Sequence, residues 1–556
     1  MVRISVCAQG RALCACLTLT IGAAVAQTVR VNLSHNGEEA NATTYRCALS
    51  AGGRFVAFDS VSSNLVPNDT NWHVDVFVRD RDLGKTERVS VDSSGVQSNG
   101  PSYNPAISMD GRCVAFISAA TNLVASDDNA LPDVFLHDRA TRTTTRVSVS
   151  TQGNQSNGPS YRCGISANGR FVIFDSDGRN LVPNDENDVP DVFVHDVQAK
   201  ATECASVSTW GQRADDTSFV GAISCDGRYV TFMSHASNLV DFDTNHAWDV
   251  FVRDRLLRTT VRESVSSNGT EGDSDSSWPA ISADGSIVAF SSFATNFSSG
   301  DTNWAWDVFV RDRNTGATVR LSKGMNQTQA NAGSFHPSIS GDGRFVAFDS
   351  EADNLVVGDA NQQIDAFVAD RQTDVIRRVS VASEGGEGNA YSENAIVSWD
   401  GWYVAYSSDS ENLVPADTNL ARDIFVRSWR TASVETYGAG WPGSAGVPEF
   451  GILQAPILGT TVDLKLGNSA QAVMPGLVLY GEASARALTA FDGDLLVEWT
   501  VCVPRIVPAY GEVVPTKIPD ERELVGRQCF LQYVQMDPGA SKGVAFSRGL
   551  RLVLGY

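Results

Sequence analysis

Short runs of alternating apolar and polar residues, parted by glycine-centred polar turns, recur along this chain at a fixed interval. The turn glycines are Gly53, Gly111, Gly169, Gly227, Gly285, Gly343 and Gly401, each 58 positions after the last, so seven units follow one another without insertion. The second unit shows the pattern: residues 104–108 (NPAIS) predict strand a, 113–117 strand b, 133–137 (DVFLH) strand c and 144–150 (TTRVSVS) strand d. Between a and b stands Asp110-Gly111, a tight-hairpin signal that predicts positive φ at both residues. Valine recurs in strand b at 56, 114, 172, 230, 288, 346 and 404, and phenylalanine in strand c at 77, 135, 193, 251, 309, 367 and 425.

A four-stranded unit that is apolar on both faces must bury them against copies of itself. Four antiparallel strands in 58 residues are too many for a solenoid coil and too few for an immunoglobulin-like sandwich, which needs about 100 residues. The expected fold is therefore all-β, a seven-bladed propeller with one unit per blade. Residues 28–34 (TVRVNLS) match strand d one period before the first unit, and residues 431–437 supply a final strand d; either suits the closing blade.

The blades resemble the TolB-type propeller repeats of secreted and periplasmic bacterial proteins. The resemblance lies in the block SGDGRFVAF at Ser340–Phe348 and in Asp-Val-Phe-Val-Arg-Asp starting at residues 75, 249 and 307. It spans residues 28–438 and implies a WD40-like ring, but no single activity, since such propellers serve many roles. The b-to-c loop is longer than in TolB itself, so no peptidoglycan-associated partner is carried over.

After residue 438 the period stops. A Gly/Pro/Ser-rich stretch over residues 439–448 reads as a linker, and residues 449–556, with short alternating runs at 462–466, 476–480, 495–503, 531–535 and 550–554, predict a small β-sandwich. Residues 437–448 and 524–555 resemble the C-terminal β domain that ends many secreted bacterial repeat proteins, though Trp441 stands where that family usually has cysteine.

Composition narrows the setting. Arg3 and Arg11, the apolar run 12–25 and Ala24-Val25-Ala26 make residues 1–26 a signal peptide, predicting a secreted, periplasmic or cell-surface protein. No later stretch is long enough for a transmembrane helix. With 65 acidic against 43 basic residues the net charge is −22, which disfavours nucleic acid as a partner. Seven of the ten cysteines follow the signal segment, an odd number. Cys502 and Cys529 suit either a disulfide or an unbridged buried pair; Cys47 and Cys163, two units apart, are not expected to bond. A monomer is expected.

In a propeller of this strand order the b-to-c and d-to-a loops share one face. Each b-to-c loop repeats one motif: Asp69/Asn71/Asp75, Asp127/Asn129/Asp133, Asp185/Asn187/Asp191, Asp243/Asn245/Asp249, Asp301/Asn303/Asp307, Asp359/Asn361/Asp365 and Asp417/Asn419/Asp423. The spacing resembles the start of a calcium loop, without its glycine or closing glutamate, and equally suits a turn and cap before strand c. Asn64, Asn122, Asn180, Asn238, Asn296, Asn354 and Asn412 also recur in every unit, which favours a structural role.

Function is better sought where the repeat breaks. Trp248 and Trp306 replace Val74, Pro132, Pro190, Ile364 and Arg422; Trp278 and Trp304 lie in the same region, with His246 and His336 nearby. These residues predict an aromatic platform around units four to six for a sugar or an apolar side chain, although loop packing would use indoles in the same way. No catalytic motif is present: His137 and His195 replace Arg79 in the repeat, and no metal-ligand spacing, nucleophile elbow or phosphate loop occurs. The expected function is binding or scaffolding, with a polysaccharide or protein on the long-loop face; the alternative is a propeller-borne carbohydrate-active lyase or hydrolase.

Overall fold

The computed structural model describes residues 27–428, 433–437, 441–452, 461–488, 494–509, 511–518 and 528–553. The expected signal peptide lies outside them. The described residues part into two compact units between Ser428 and Ser433.

The first unit is a ring of seven four-stranded antiparallel sheets. Blade 1 holds strands a to d at Thr44–Leu49, Phe55–Ser60, Asp75–Asp80 and Lys85–Arg88; the next five blades repeat these spans at the 58-residue period. Blade 7 takes its first three strands from Ser392–Val397, Tyr403–Ser408 and Asp423–Ser428, and its fourth from Thr28–Arg30, which pairs antiparallel with Asp423–Ser428. The N-terminal strand thus closes the ring. The other candidate, Ser433–Tyr437, pairs instead with Gly549–Val553 of the second unit.

The strand b valines and strand c phenylalanines are fully buried, and each Phe77-type ring stacks on its strand b partner, as in Phe58–Phe77 at 5.8 Å. Each apolar cluster draws on two blades: Ala57, Val76 and Val78 of blade 1 pack with Val114, Phe116 and Phe135 of blade 2. Strand d is shorter than its alternating pattern suggested, ending at Arg146 in blade 2, because Val149 leaves the sheet to bridge Gln155. Strand a carries an unforeseen irregularity: its register slips in every blade, leaving Asn104, Trp278, His336 and Asn394 at left-handed φ of 54°, 52°, 51° and 57°.

The a-to-b hairpin departs from the expected turn. Gly111 alone has positive φ; Asp110 stays on the ordinary side and uses Oδ1 to accept from Ser108 Oγ at 2.7 Å and Arg112 N at 3.0 Å. A side chain that organises the turn removes the need for a second left-handed residue. Glycine is required there for a further reason. A Cβ on Gly111 would lie 2.1 Å from the Phe55 ring of the preceding blade, and one on Gly53 would lie 2.7 Å from Tyr403 of blade 7, so the contact runs around the whole ring.

The second unit has a six-stranded antiparallel sheet in the order Ser433–Tyr437, Gly549–Val553, Gln528–Met536, Met474–Leu488, Asp494–Val507, with Val544–Phe546 added on Gln528–Met536. A three-stranded sheet joins Phe450–Ile452, Thr461–Leu466 and Glu512–Lys517. Leu464, Leu466 and Val514 of the smaller sheet share a core with Val478, Leu531, Tyr533, Leu550 and Leu552 of the larger. Within the stretch read as a linker, Trp441 exchanges backbone hydrogen bonds with Phe546, and Ser444 N donates to Asp537 Oδ2. No disulfide joins any of the seven described cysteines, Cys502 and Cys529 included. No helix among the described residues is long and apolar enough to cross a membrane.

Candidate functional site: the long-loop face and the axial channel

The repeated Asp/Asn/Asp residues gather at the start of strand c, where in six of the seven blades an arginine from strand d meets them. In blade 1, Arg88 Nη1 lies 3.0 Å from Asp69 Oδ1 and 3.2 Å from Asp75 Oδ2. Asn71 Nδ2 donates to Asp75 Oδ2 at 2.8 Å and to the Ser98 carbonyl at 3.0 Å, while its Oδ1 accepts from His73 N at 3.1 Å. Ser90 Oγ completes the set at 2.5 Å from Asp75 Oδ1. The same pairing recurs with Arg146 on Asp127 and Asp133, Arg262 on Asp243 and Asp249, Arg320 on Asp301 and Asp307, Arg378 on Asp359 and Asp365, and Arg30 on Asp417 and Asp423. In these six blades the position between the carboxylates holds a guanidinium. Asp359, Asp365 and Glu387 come close enough together to hold a metal ion, but Arg378 Nη1 reaches all three, at 3.1, 3.2 and 2.5 Å.

The asparagines of the motif make the same turn in the same blades. Asn129 Oδ1 accepts from Leu131 N at 3.0 Å, Asn245 Oδ1 from Ala247 N at 3.1 Å, and Asn303 Oδ1 from Ala305 N at 3.2 Å. Asn361 Oδ1 accepts from Gln363 N at 2.9 Å and Asn419 Oδ1 from Ala421 N at 3.0 Å. Their Nδ2 groups donate across to the carbonyls of Ser156, Gly272, Ala330, Gly388 and Ala40, at 2.9–3.0 Å. The amide oxygen of Asn71, Asn129, Asn245, Asn303, Asn361 and Asn419 closes an Asx turn, one of the two uses that the spacing allows. With its arginine, the motif as built in these blades is a charged clamp that ties the loop to strand d.

The other repeated polar residue is also a staple. Asn122 Oδ1 accepts from Asn99 N at 2.9 Å and its Nδ2 donates to the Gln97 carbonyl at 2.9 Å, the same pair of bonds that the equivalent asparagine makes in each blade. His137 and His195 take over the duty of Arg79: each ring Nδ1 lies 2.9 Å from the threonine hydroxyl, Thr144 or Thr202, that corresponds to the Arg79 partner Thr86. Burial lowers both imidazole pKa values.

Four of the six residues singled out for ligand binding form the inner part of the face. Trp278 contacts Trp306 with ring centroids 5.4 Å apart and His336 at 4.5 Å. One blade earlier, Trp248 stacks on Phe219 at 5.6 Å and meets His235 at 5.7 Å. Arg162 lies over the far side of that group, 4.7 Å from the Phe219 ring. Phe293 and Phe335 extend the Trp306 and Trp278 contacts. Trp304 and His246 stand apart: both occupy a loop-tip position that is left-handed in every blade, and Trp304 is 74% exposed.

Inside this arc the innermost strands line a channel. Arg46, Asn104, Arg162, Val220 and Asn394, from blades 1, 2, 3, 4 and 7, border one cavity, and Trp278 and His336 hold the same register in blades 5 and 6. Beneath them three buried carboxylates stitch neighbouring blades. Asp59 accepts from Arg46 N at 2.8 Å and Asn104 N at 2.9 Å; Asp175 accepts from Arg162 N at 3.1 Å and Val220 N at 3.0 Å. Asp349 accepts from Asn394 N at 2.8 Å and lies 3.2 Å from His336 Nδ1. Burial raises all three pKa values, that of Asp175 to about 7. The register around the channel thus runs from basic and amide side chains to aromatic ones.

No protein-family model and no curated protein matches the chain. Among solved structures it is similar to a putative TolB from Agrobacterium tumefaciens, at 16% identity over 62% of this chain and 94% of that one, TM-score 0.34. It is also similar to the WD40 repeats of RRP9 (9% identity, 73% of this chain, 99% of that one, TM-score 0.37) and to the tricorn protease (10%, 90% and 44%, TM-score 0.23).

Several members of the face carried no signal in the motif reading. Phe219 and Phe335 belong to a register otherwise filled by Tyr45, Tyr103, Tyr161, Ser277 and Glu393, so they look like ordinary strand residues until the bulge turns the neighbouring side chain into the channel. Trp72 in the blade 1 loop and Phe242 in the loop that also holds His246, each 88% exposed, stand at left-handed positions, where an aromatic residue is unusual. Aligning all seven units column by column would have exposed both. In the second unit, Leu477, Leu479, Pro504, Ile506 and Met536 line an apolar groove on the larger sheet.

Proposed function

We propose that the protein is a non-catalytic binding or scaffold protein, exported to the cell envelope or beyond, that engages a polysaccharide or a protein through the inner long-loop face. The observation that carries this reading is the Trp278–Trp306–His336 group with its neighbour Trp248–Phe219–Arg162, concentrated in blades 3 to 6, where the repeat is broken. Rings stacked on a ligand contribute through buried apolar area and through face-on contact with a sugar or side chain. Arg46 and Arg162 beside them add hydrogen-bond donors suited to the hydroxyls and carboxylates of an acidic glycan.

One observation favours the alternative, a carbohydrate-active lyase or hydrolase: the His336–Asp349 pair lies at the channel mouth, within reach of the same aromatic group. A panel of polysaccharides assayed for both retention and product release separates the two. Binding without turnover, weakened roughly 5- to 100-fold by Trp278→Ala, is expected. Product release that disappears in His336→Ala would establish the enzyme instead.

A further inference from the structure

Blade 3 breaks the charged clamp. At the register of Arg30, Arg88, Arg146, Arg262, Arg320 and Arg378 it has Cys204, whose thiol lies 3.3 Å from Ser206 Oγ. Burial raises the Cys204 pKa to about 12, so the side chain is neutral. The carboxylates that the arginine would have paired are still there, side by side: Asp185 is 8% exposed and Asp191 1% exposed.

Two oxygen atoms at this place have lost their donors. Asp185 Oδ1 is buried and has no hydrogen-bond partner; its blade 2 counterpart, Asp127 Oδ1, also lacks a hydrogen bond but faces Arg146 Nη1 at 3.2 Å. Asn187 Oδ1 is likewise buried and unpartnered, whereas in the six other blades the equivalent oxygen accepts an N–H two residues on. The amide is not misoriented, because Asn187 Nδ2 has two good acceptors, Asp191 Oδ2 at 2.9 Å and the Ala214 carbonyl at 2.9 Å. Arg213 stands where the other blades have Gln97, Gln155, Glu271, Gln329, Glu387 and Glu39, and its charge acts on both Asp185 and Asp191, yet it directs Nη2 to the Pro183 carbonyl at 3.1 Å and gives Asp185 Oδ1 no hydrogen bond. Two neighbouring buried carboxylates and an orphan amide oxygen cost several kcal/mol unless something positive sits among them.

We propose that blade 3 binds one oxygen-coordinated divalent cation of the calcium type through Asp185, Asp191 and Asn187 Oδ1, in the place the arginine guanidinium takes in the other blades. The donor set is carboxylate and amide oxygen, which suits a hard cation. This assignment does not depend on what the long-loop face binds. It also differs from a calcium loop in every blade, because six of the seven places hold a guanidinium.

The test uses the full mature chain with calcium chloride as probe. Calorimetric titration is expected to show one calcium per chain, and melting in calcium at a hundred times Kd is expected to run roughly 3 °C above melting in chelator. Asp185→Asn should abolish both effects, while Asp127→Asn in blade 2 should leave them intact. Cys204→Arg, which restores the clamp, should melt above the parent in chelator and ignore calcium; if it fails to fold, Asp185→Asn decides alone. No binding at millimolar calcium, seven calcium ions per chain, or binding unchanged by Asp185→Asn would overturn the proposal.

Discussion

The contact that joins each blade to the next is open to a direct test at Gly227. This hairpin glycine has φ of +78°, and a Cβ placed on it would lie 2.1 Å from Phe171 Cδ2 of the preceding blade. Phe171 cannot swing away freely: the guanidinium of Arg170 lies 4.8 Å from its ring centroid, that of Arg255 lies 4.5 Å away, and Arg255 Nη1 also donates to the Gly227 carbonyl at 2.5 Å. Gly227→Ala therefore has two costs. The left-handed backbone costs an alanine about 1–2 kcal/mol, and forcing a methyl group into a packed joint adds about 1–3 kcal/mol. Gly211→Ala is the matched control, since Gly211 has φ of +82° and nothing within 4 Å of its Cβ position, so only the first cost applies. Denaturant unfolding followed by tryptophan fluorescence should place Gly227→Ala lower than Gly211→Ala by about 1–3 kcal/mol. The double variant Gly227→Ala/Phe171→Ala should be less destabilised than the sum of the singles, because removing the ring removes the clash. Equal losses at the two glycines would refute the argument that close approach between blades, and not backbone conformation alone, demands glycine there.

Other expectations follow from the same structure. Removing residues 27–34 deletes the fourth strand of blade 7 together with Arg30, and should lower the melting temperature of the whole propeller in one cooperative transition; a separate early transition confined to one blade would contradict ring closure. Asp175 has its pKa raised by burial to about 7 against an unfolded value near 3.9, so the folded state holds the extra proton between these values. Stability from this group should therefore fall as pH rises from about 4 to about 7, by at most about 4 kcal/mol, and Asp175→Asn should flatten that part of the pH profile. Trp248→Ala with Trp306→Ala should weaken ligand retention by about 1–3 kcal/mol and leave the fold intact, whereas Val74→Ala and Ile364→Ala at the same register should do much less; equal effects would make the indoles packing residues.

The ring itself was legible in the sequence because its causes are local and repeated. Alternation sets the strands, Asp-Gly sets the hairpin, and the valine and phenylalanine columns set both buried faces, so seven copies of one argument point to one fold. Ring closure was not legible, because residues 28–34 and 431–437 carry the same strand d pattern. What separates them is Arg30 meeting Asp417 and Asp423 and Asn32 Nδ2 donating to Asp423 Oδ1 at 2.5 Å, contacts nearly four hundred residues apart in sequence. The partner of the Asp/Asn/Asp motif was missed for a similar reason. Arg88 lies thirteen residues after Asp75 on a different strand, and nothing in the loop's own spacing distinguishes a guanidinium from a metal ion as the counter-charge. The bulge in strand a was invisible altogether, because it places residues as different as Asn104, Trp278 and His336 in one backbone conformation.

Repetition and its breaks then carry different kinds of information. A residue present in every blade, such as the Asn122 staple, is held by a requirement that every blade shares, so it says little about what the protein does. A break has a local cause, and its sense depends on whether the neighbours adjust. At the position of Arg79 they do: His137 and His195 find the same threonine hydroxyl, and the exchange leaves nothing unsatisfied. At Cys204 they adjust only in part: Arg213 brings a charge to Asp185 and Asp191, but Asp185 Oδ1 and Asn187 Oδ1 keep no hydrogen-bond donor. The aromatic arc is a third case, in which Trp248 and Trp306 replace smaller side chains and add ring contacts with Phe219 and Trp278. A loss that is only partly compensated points to a bound cation, and an added surface points to a partner. Blades 3 to 6 are therefore where this ring departs from being merely a ring.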